Sequence, residues 1–185
     1  METPDLIFPT FWTSDGHHVA RDPRESGATD GLPDWLEKRF NDGGLCAFLT
    51  SGSEGAPKWV LLTKQALQIS ADAVNAHFGV TAEDRWLIAL PEHHVGGFSI
   101  HARASRSESE VMRLEGKWEP VVFAKAVLER GVTLTSLVPT QVHDLVQTGL
   151  TSPATLRAIA VGGGGMSNDL VRKARKLGWP VFQSY

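Results

Sequence analysis

From Leu45 onward, apolar runs of strand length recur along the chain: LCAFLT, WVLLT, RWLIAL, EVMRL, VTLTSLV, AIAV and PVFQSY, most of them separated by stretches of helical period. In KQALQISADAVNAHF the residues Ala66, Leu67, Ser70, Ala73, Val74, His77 and Phe78 fall on one face, and Thr63 stands where an N-cap is needed. PVVFAKAVLERG follows the same logic and ends on Gly131, a residue suited to a left-handed C-cap. Thr140 is expected to cap QVHDLVQTG, and Ser167 to cap NDLVRKARKLG. Strands alternating with helices of this length imply crossover connections. The expected fold is therefore α/β, a doubly wound, mainly parallel sheet with flanking helices. Residues 1–44 carry less pattern: residues 1–32 are rich in Pro, Gly and Asp and read as an irregular lead-in with one short strand, followed by a short helix in PDWLEKRFN. Residues 45–185 form the regular α/β part. Ligands on such sheets sit at the carboxyl ends of the strands, so the loops that follow the strands are the place to look for chemistry.

Composition narrows the choice of ligand. The 185 residues are 42% hydrophobic and 21% charged, the balance of an ordinary globular chain. A formal charge of −3 argues against a nucleic-acid binder that works through phosphate contacts. Arg172, Lys173, Arg175 and Lys176 form a basic run that reads as the solvated face of a helix. Cys46 is the only cysteine, which rules out an internal disulfide and a cysteine-built zinc site and fits a reducing, cytoplasmic compartment. The opening METPDLIFPTFWTSDG lacks the pattern of an export signal, and no apolar run approaches the roughly 18 residues of a membrane span.

Three loops stand out. In LTSGSEGAPKWVLLT the hydroxyls of Thr50, Ser51 and Ser53, the exposed amides around Gly52 and Gly55, and the charge of Lys58 are equipment for an anion such as a phosphate. It is not a Walker loop, because Pro57 precedes the lysine and a strand-like run follows it, which also weakens a kinase or NTPase reading. A polar hairpin loop is the plainer alternative. The second loop, LPEHHVGGFSIHARA, holds His93, His94 and His101, which chemistry alone leaves open between surface or packing histidines and a functional group; no metal site is expected from them. The third, AIAVGGGGMSNDLV, contains four consecutive glycines, which permit either close ligand approach or simple flexibility.

Taken together and in this order, TSGSEGAPK, LPEHHVGG and the GGGG loop followed by a strand ending at Tyr185 resemble the adenylate-forming (AMP-binding) acyl-CoA synthetases, most of all the o-succinylbenzoate-CoA ligases of menaquinone biosynthesis. The resemblance covers residues 45–185 and implies a partial large N-terminal domain of that ligase fold, a nucleotide-binding subdomain reaching as far as the adenine-binding tyrosine motif. By it, Thr50, Ser51, Gly52, Ser53, Glu54, Gly55 and Lys58 would meet the pyrophosphate end of ATP. Gly162, Gly163 and Gly164 would lie against adenine and the acyl group, Tyr185 would stack on adenine, and His94 would face the carboxylate being activated. The implied reaction joins a small carboxylic acid to coenzyme A in two steps. The acid attacks the α-phosphate of Mg2+-bound ATP to give an acyl-adenylate and pyrophosphate, and the thiol of coenzyme A then displaces AMP. The resemblance further implies that this chain by itself is inactive, and it is compatible with a homo-oligomer. Glu54 stands where the family usually has Thr, and Trp59 where it usually has Gly; a carboxylate beside a triphosphate is repulsive unless a cation or the lysine offsets it. A noncatalytic nucleotide-binding or interaction module, and an aryl or fatty acyl-CoA ligase of other specificity, are the alternatives.

Overall fold

The computed structural model describes residues 6, 8–22, 24, 31–40, 44–50 and 57–184. Two sheets share one layer of helices. The smaller sheet comprises β1 (His18–Ala20), β2 (Leu45–Thr50) and β3 (Lys58–Thr63), with β1 parallel and β3 antiparallel to β2. The larger sheet is wholly parallel and contains β4 (Arg85–Ile88), β5 (Glu110–Arg113), β6 (Leu134–Leu137), β7 (Ala158–Val161) and β8 (Val181–Gln183), in the spatial order β5-β4-β6-β7-β8. The expected parallel α/β sheet is thus present, with a separate mixed sheet beside it.

The strand periodicity explains how the layers are filled. On the large sheet Trp86, Ile88, Leu134 and Ala158 point to one side, while Leu87, Leu137, Ile159, Val161 and Val181 point to the other. The second side is covered by α5 (Pro120–Arg130), α6 (Pro139–Thr148) and α7 (Asn168–Lys176) through Phe123, Val127, Val142, Leu145 and Ala174. The first is covered by α3 (Lys64–Phe78) and α4 (Val95–Ser107) through Val74, Phe78, Ile100 and Ala104. The opposite face of α4, with Phe98 and Ala102, and the first turns of the same stripe of α3, with Leu67 and Ala71, pack against Cys46 and Phe48 of the small sheet. Trp12, on the short helix α1 (Pro9–Thr13), joins that cluster and meets the Phe98 ring edge-on. A further helix, α2 (Leu32–Arg39), contributes Leu36 to a separate cluster with Leu45 and Ala47. Burying an apolar side chain of this size contributes about 1.5–3 kcal/mol, so Trp86, Phe98, Phe123 and Trp179, all fully buried, anchor the layers.

Local chemistry sets the helix ends. Thr63 Oγ1 accepts from the Ala66 N–H at 3.0 Å and Ser167 Oγ from the Leu170 N–H at 3.2 Å, as expected of N-caps. Gly131 closes α5 at φ 62°, in the left-handed region. Two expectations require correction. Thr140 is not the cap of α6: the helix begins at Pro139, whose ring presets a helical φ, and Val138 is the N-cap. The buried face of α3 is also rotated from the expected one. Ala66, Ser70, Ala73 and His77 are exposed, whereas Lys64, Leu67 and Ala71 are buried. Lys64 escapes a purely apolar count because its amine is satisfied inside, donating to Ser14 Oγ at 2.8 Å and lying 4.3 Å from the centre of the Phe11 ring.

Candidate nucleotide and carboxylate site

In the large sheet the chain passes from β4 outward to β5, crosses back over β4 to β6, and continues in the opposite direction to β7 and β8. The strand order therefore reverses between β4 and β6, and in open α/β sheets the ligand crevice lies at the carboxyl ends of the strands at such a reversal. The segments lining it are the turn from Ala89 to His94, the Val138–Pro139 entry to α6, and, one strand further, the Gly162–Gly165 loop.

His94 lies at this edge. It is the N-cap residue of α4, with its ring exposed and tilted against that of His93 at 4.3 Å, and its side chain makes no capping bond. The turn beneath it is tight: His94 N–H donates to the Pro91 carbonyl at 3.1 Å, and a Cβ on Gly97 would come within 2.5 Å of that same oxygen. Gly97 is thus required for close packing of the turn on α4. The other two histidines are employed elsewhere. His93 lies 3.4 Å from Asp22, and His101 is buried with Nε2 2.5 Å from Glu92 Oε2. A carboxylate can only accept, so Nε2 carries the proton. Glu92 also accepts from Arg113 at 2.6 and 2.9 Å. The bond from His101 and, against burial, those from Arg113 hold the Glu92 carboxyl down to about 2.

The glycine loop leaves β7 with the Gly162 N–H bonded to the Leu137 carbonyl at 3.1 Å. Gly163 turns the backbone at φ 75°, and a Cβ there would lie 3.4 Å from Val138 Cγ1; one on Gly164 would lie 3.6 Å from the Pro139 ring. A side chain would thus fit at Gly164 without clash, and it is the left-handed φ of Gly163 that favours glycine in this loop. Gln183 fastens the far end, its Oε1 accepting from the Met166 N–H at 3.1 Å.

Thr50 and Lys58 are brought together as a cross-strand pair on the small sheet, at the mouth of the β2–β3 hairpin, with Thr50 Oγ1 donating to the Lys58 carbonyl at 3.1 Å. Ser51, Gly52, Ser53, Glu54 and Gly55, and Tyr185 at the other end of the chain, lie outside the described residues. The loop expected to hold phosphate therefore does connect two antiparallel strands, with Thr50 and Lys58 at its base.

Three groups carry chemistry that the sequence did not single out. Arg103, on α4, is half-buried and donates to Ser136 Oγ of β6 at 2.7 Å, while its buried Nε is without a partner among the described residues. Burial lowers its guanidinium to about 10. The other two are Glu92 and Gln141, the latter buried at the crevice. Only Gln141 left a local trace: it is the third residue of a helix that opens with Pro, the place of the returning side chain in a capping box.

A parallel sheet whose strand order reverses between β4 and β6, with a glycine loop and a histidine-bearing turn at its carboxyl edge, is a doubly wound α/β protein whose ligand position lies at that edge. Residues 20–185 match the model of the AMP-binding enzyme family, and the chain belongs to that family. The 2-succinylbenzoate–CoA ligase of Bacillus subtilis strain 168 is 34% identical over 136 residues, 74% of this chain and 28% of its own length. That of Bacillus cereus strain Q1 is 33% identical over 154 residues, 82% of this chain and 32% of its own. The structure of the Bacillus subtilis O-succinylbenzoate coenzyme A synthetase in complex with ATP and magnesium superposes with a TM-score of 0.69 at 33% identity, over 76% of this chain and 29% of that one. The E. coli synthetase with a bound phenylether-linked analogue gives 0.64 at 32%, over 76% and 30%. The chain thus spans about a third or less of the length of these relatives.

Proposed function

We propose that this chain is the ATP- and acid-binding portion of an AMP-forming acid–CoA ligase of the o-succinylbenzoate type, with residues 45–185 as its nucleotide-binding part. What supports the reading is the placement of the His94 turn after β4 and of the Gly162–Gly164 loop after β7, at the carboxyl edge of the sheet whose strand order reverses between β4 and β6, in a fold that matches synthetases solved with ATP and magnesium or with AMP. In this reading adenine lies along Gly162–Gly164 and under Tyr185, and the phosphates extend toward Thr50, the Ser51–Gly55 segment and Lys58. The acid's carboxylate meets His94, with the half-buried Arg103 guanidinium supplying positive potential from the layer below. In this reading magnesium accompanies the nucleotide's phosphates; among the described residues there is no group of three or more His, Cys, Asp or Glu that could hold a metal ion. The acceptor thiol is that of coenzyme A, as in the relatives' names. Among the described residues no helix is long and apolar enough to cross a membrane.

Titrating AMP into the 15N-labelled chain tests the reading directly. The amides of Gly162–Met166 are expected to shift in a saturable way, and an undisturbed glycine loop at saturating nucleotide would refute it. The 185 residues span about a third or less of these relatives. Incubation with ATP, magnesium, coenzyme A and o-succinylbenzoate should accordingly give no thioester from the 185 residues alone.

A further inference from the structure

Gln141 is nearly fully buried, and both ends of its amide are occupied by backbone from different parts of the crevice. Its Oε1 accepts from the Val138 N–H at 3.1 Å, and its Nε2 donates to the Ala89 carbonyl at 2.9 Å. A backbone N–H can only donate and a carbonyl only accept, so the two partners fix which way the amide faces. Ala89 is the first residue after β4 and opens the turn that ends at His94. Val138 is the N-cap of α6; the residue before it, Leu137, receives the Gly162 N–H at 3.1 Å, and a Cβ on Gly163 or Gly164 would come into van der Waals contact with Val138 or Pro139. One side chain thus joins the two lips of the switch point: through Ala89 it touches the base of the His94 turn, and through Val138 it holds the segment that receives the Gly162 N–H. β4 and β6 are hydrogen-bonded only as far as Ile88 and Ser136, so beyond that register Gln141 replaces the ladder with a side-chain bridge.

We infer that Gln141 is a positioning residue of the crevice, setting the separation between the acid-side turn and the nucleotide-side loop; its effect on a ligand rests on the function proposed above, its effect on the backbone does not. The test uses the 15N-labelled chain with Gln141→Met, which keeps the volume and removes both bonds, and Gln141→Glu, which keeps the acceptor and loses the donor. In Gln141→Met the Val138 amide should exchange about tenfold faster, the equivalent of one lost hydrogen bond at about 1.4 kcal/mol. The amides of Leu90–His94 and Gly162–Gly164 should shift, and AMP should bind about fivefold or more weakly. In Gln141→Glu the Val138 amide should stay protected while Leu90–His94 shift, and this variant alone decides the matter if the methionine variant does not fold. Unchanged Val138 exchange in Gln141→Met, or an acceleration shared equally by every core amide, would overturn the positioning role and leave only packing. If AMP binds neither parent nor variants, the nucleotide reading falls, while the exchange pattern still decides whether Gln141 is the bridge.

Discussion

The two ends of the large sheet are built from the same five strands and solve opposite problems. At the amino end Asp84, immediately before β4, accepts from Arg157 at 2.6 and 2.9 Å, from Thr133 Oγ1 at 2.7 Å and from the Thr81 N–H at 2.9 Å. Arg157 in turn donates to the carbonyls of Phe78 and Gly79 at the end of α3, so four segments are fastened by one ion pair. At the carboxyl end the His94 ring is exposed, three consecutive glycines face solvent, and cross-connections are made by the neutral amides of Gln141 and Gln183. Charge at the amino end is spent on holding the strands. At the carboxyl end an ion pair of Glu92 with Arg113 ties the turn after β4 to β5, while the neutral amides of Gln141 and Gln183 hold the β4, β6 and β7 side, where they do not compete with a phosphate or carboxylate for cations.

The sharpest way to break this contrast is Asp84→Ala. Removing one partner leaves Arg157 and Thr133 facing each other across a buried position, and the loss should be about 3 kcal/mol of stability. Denaturant unfolding should show it, with the AMP-induced shifts of the folded fraction unchanged; an altered nucleotide response would show that the two ends are not separable. Acid should act on the same bond. Burial raises the Asp84 carboxyl, but the hydrogen bonds from Arg157, Thr81 and Thr133 outweigh it and hold it at about 2, against an ordinary 3.8. The folded form thus binds fewer protons there, so the contribution is present above about pH 4 and is lost as pH falls toward 2. His18 acts earlier: burial first, then the charges of Lys64 and Arg21, lower it from 6.5 to about 4. The unfolded chain takes up its proton first, and stability should begin to fall below about pH 6.5. His18→Gln should flatten the upper part of the acid profile and leave the Asp84 part in place.

The next effect belongs to the small sheet. Lys58→Ala removes the cation at the hairpin mouth, and if that cation meets phosphate the loss is about 1.5–3 kcal/mol of ATP affinity. AMP, which lacks the outer phosphates, should be affected much less. Calorimetric titration of both nucleotides checks this, and equal losses for the two would place Lys58 away from the pyrophosphate end.

The amino and carboxyl ends also differ in how far they could be read from sequence. Strand runs such as AIAV, the caps Thr63 and Ser167, and Gly131 are local signals, set by residues within one turn of each other, and each appears where the pattern places it. The misread features depend on distant partners. Lys64 joins the buried face of α3 because Ser14 and Phe11, some fifty residues earlier, receive its amine. Gln141 looks like half a helix cap until Ala89, fifty-two residues away, is brought beside it. The order of the three loops was legible, whereas the division into two sheets sharing α3 and α4 was not, because the strand pattern is the same in both. In the pair Gly96–Gly97 only the second is a packing requirement: a Cβ on Gly97 would lie 2.5 Å from the Pro91 carbonyl oxygen, whereas one on Gly96 would lie 3.1 Å from the movable Cδ1 of Leu90.

His94→Ala should produce a smaller effect than Lys58→Ala and of a different kind. The ring is exposed, so unfolding free energy should stay within about 0.5 kcal/mol of the parent. If it hydrogen-bonds the acid, affinity for a nonhydrolysable o-succinylbenzoyl-adenylate analogue should fall about tenfold while AMP affinity holds. Equal affinities with a lowered melting temperature would return His94 to a packing role.

Glu54→Thr carries the smallest expected change and the most informative sign. Glu54 lies outside the described residues, so the argument rests on charge alone: a carboxylate four residues before Lys58, in a loop expected to hold a triphosphate, repels the ligand and partly neutralises the lysine. An exposed pair of this kind is worth about 0.2–1 kcal/mol and fades as salt rises. ATP affinity should therefore improve up to about fivefold at low ionic strength, with little gain at half-molar salt and none for AMP. A loss of ATP affinity that appears only when magnesium is present would reverse the interpretation, because the carboxylate would then be serving the ion that accompanies the phosphates and not opposing the nucleotide.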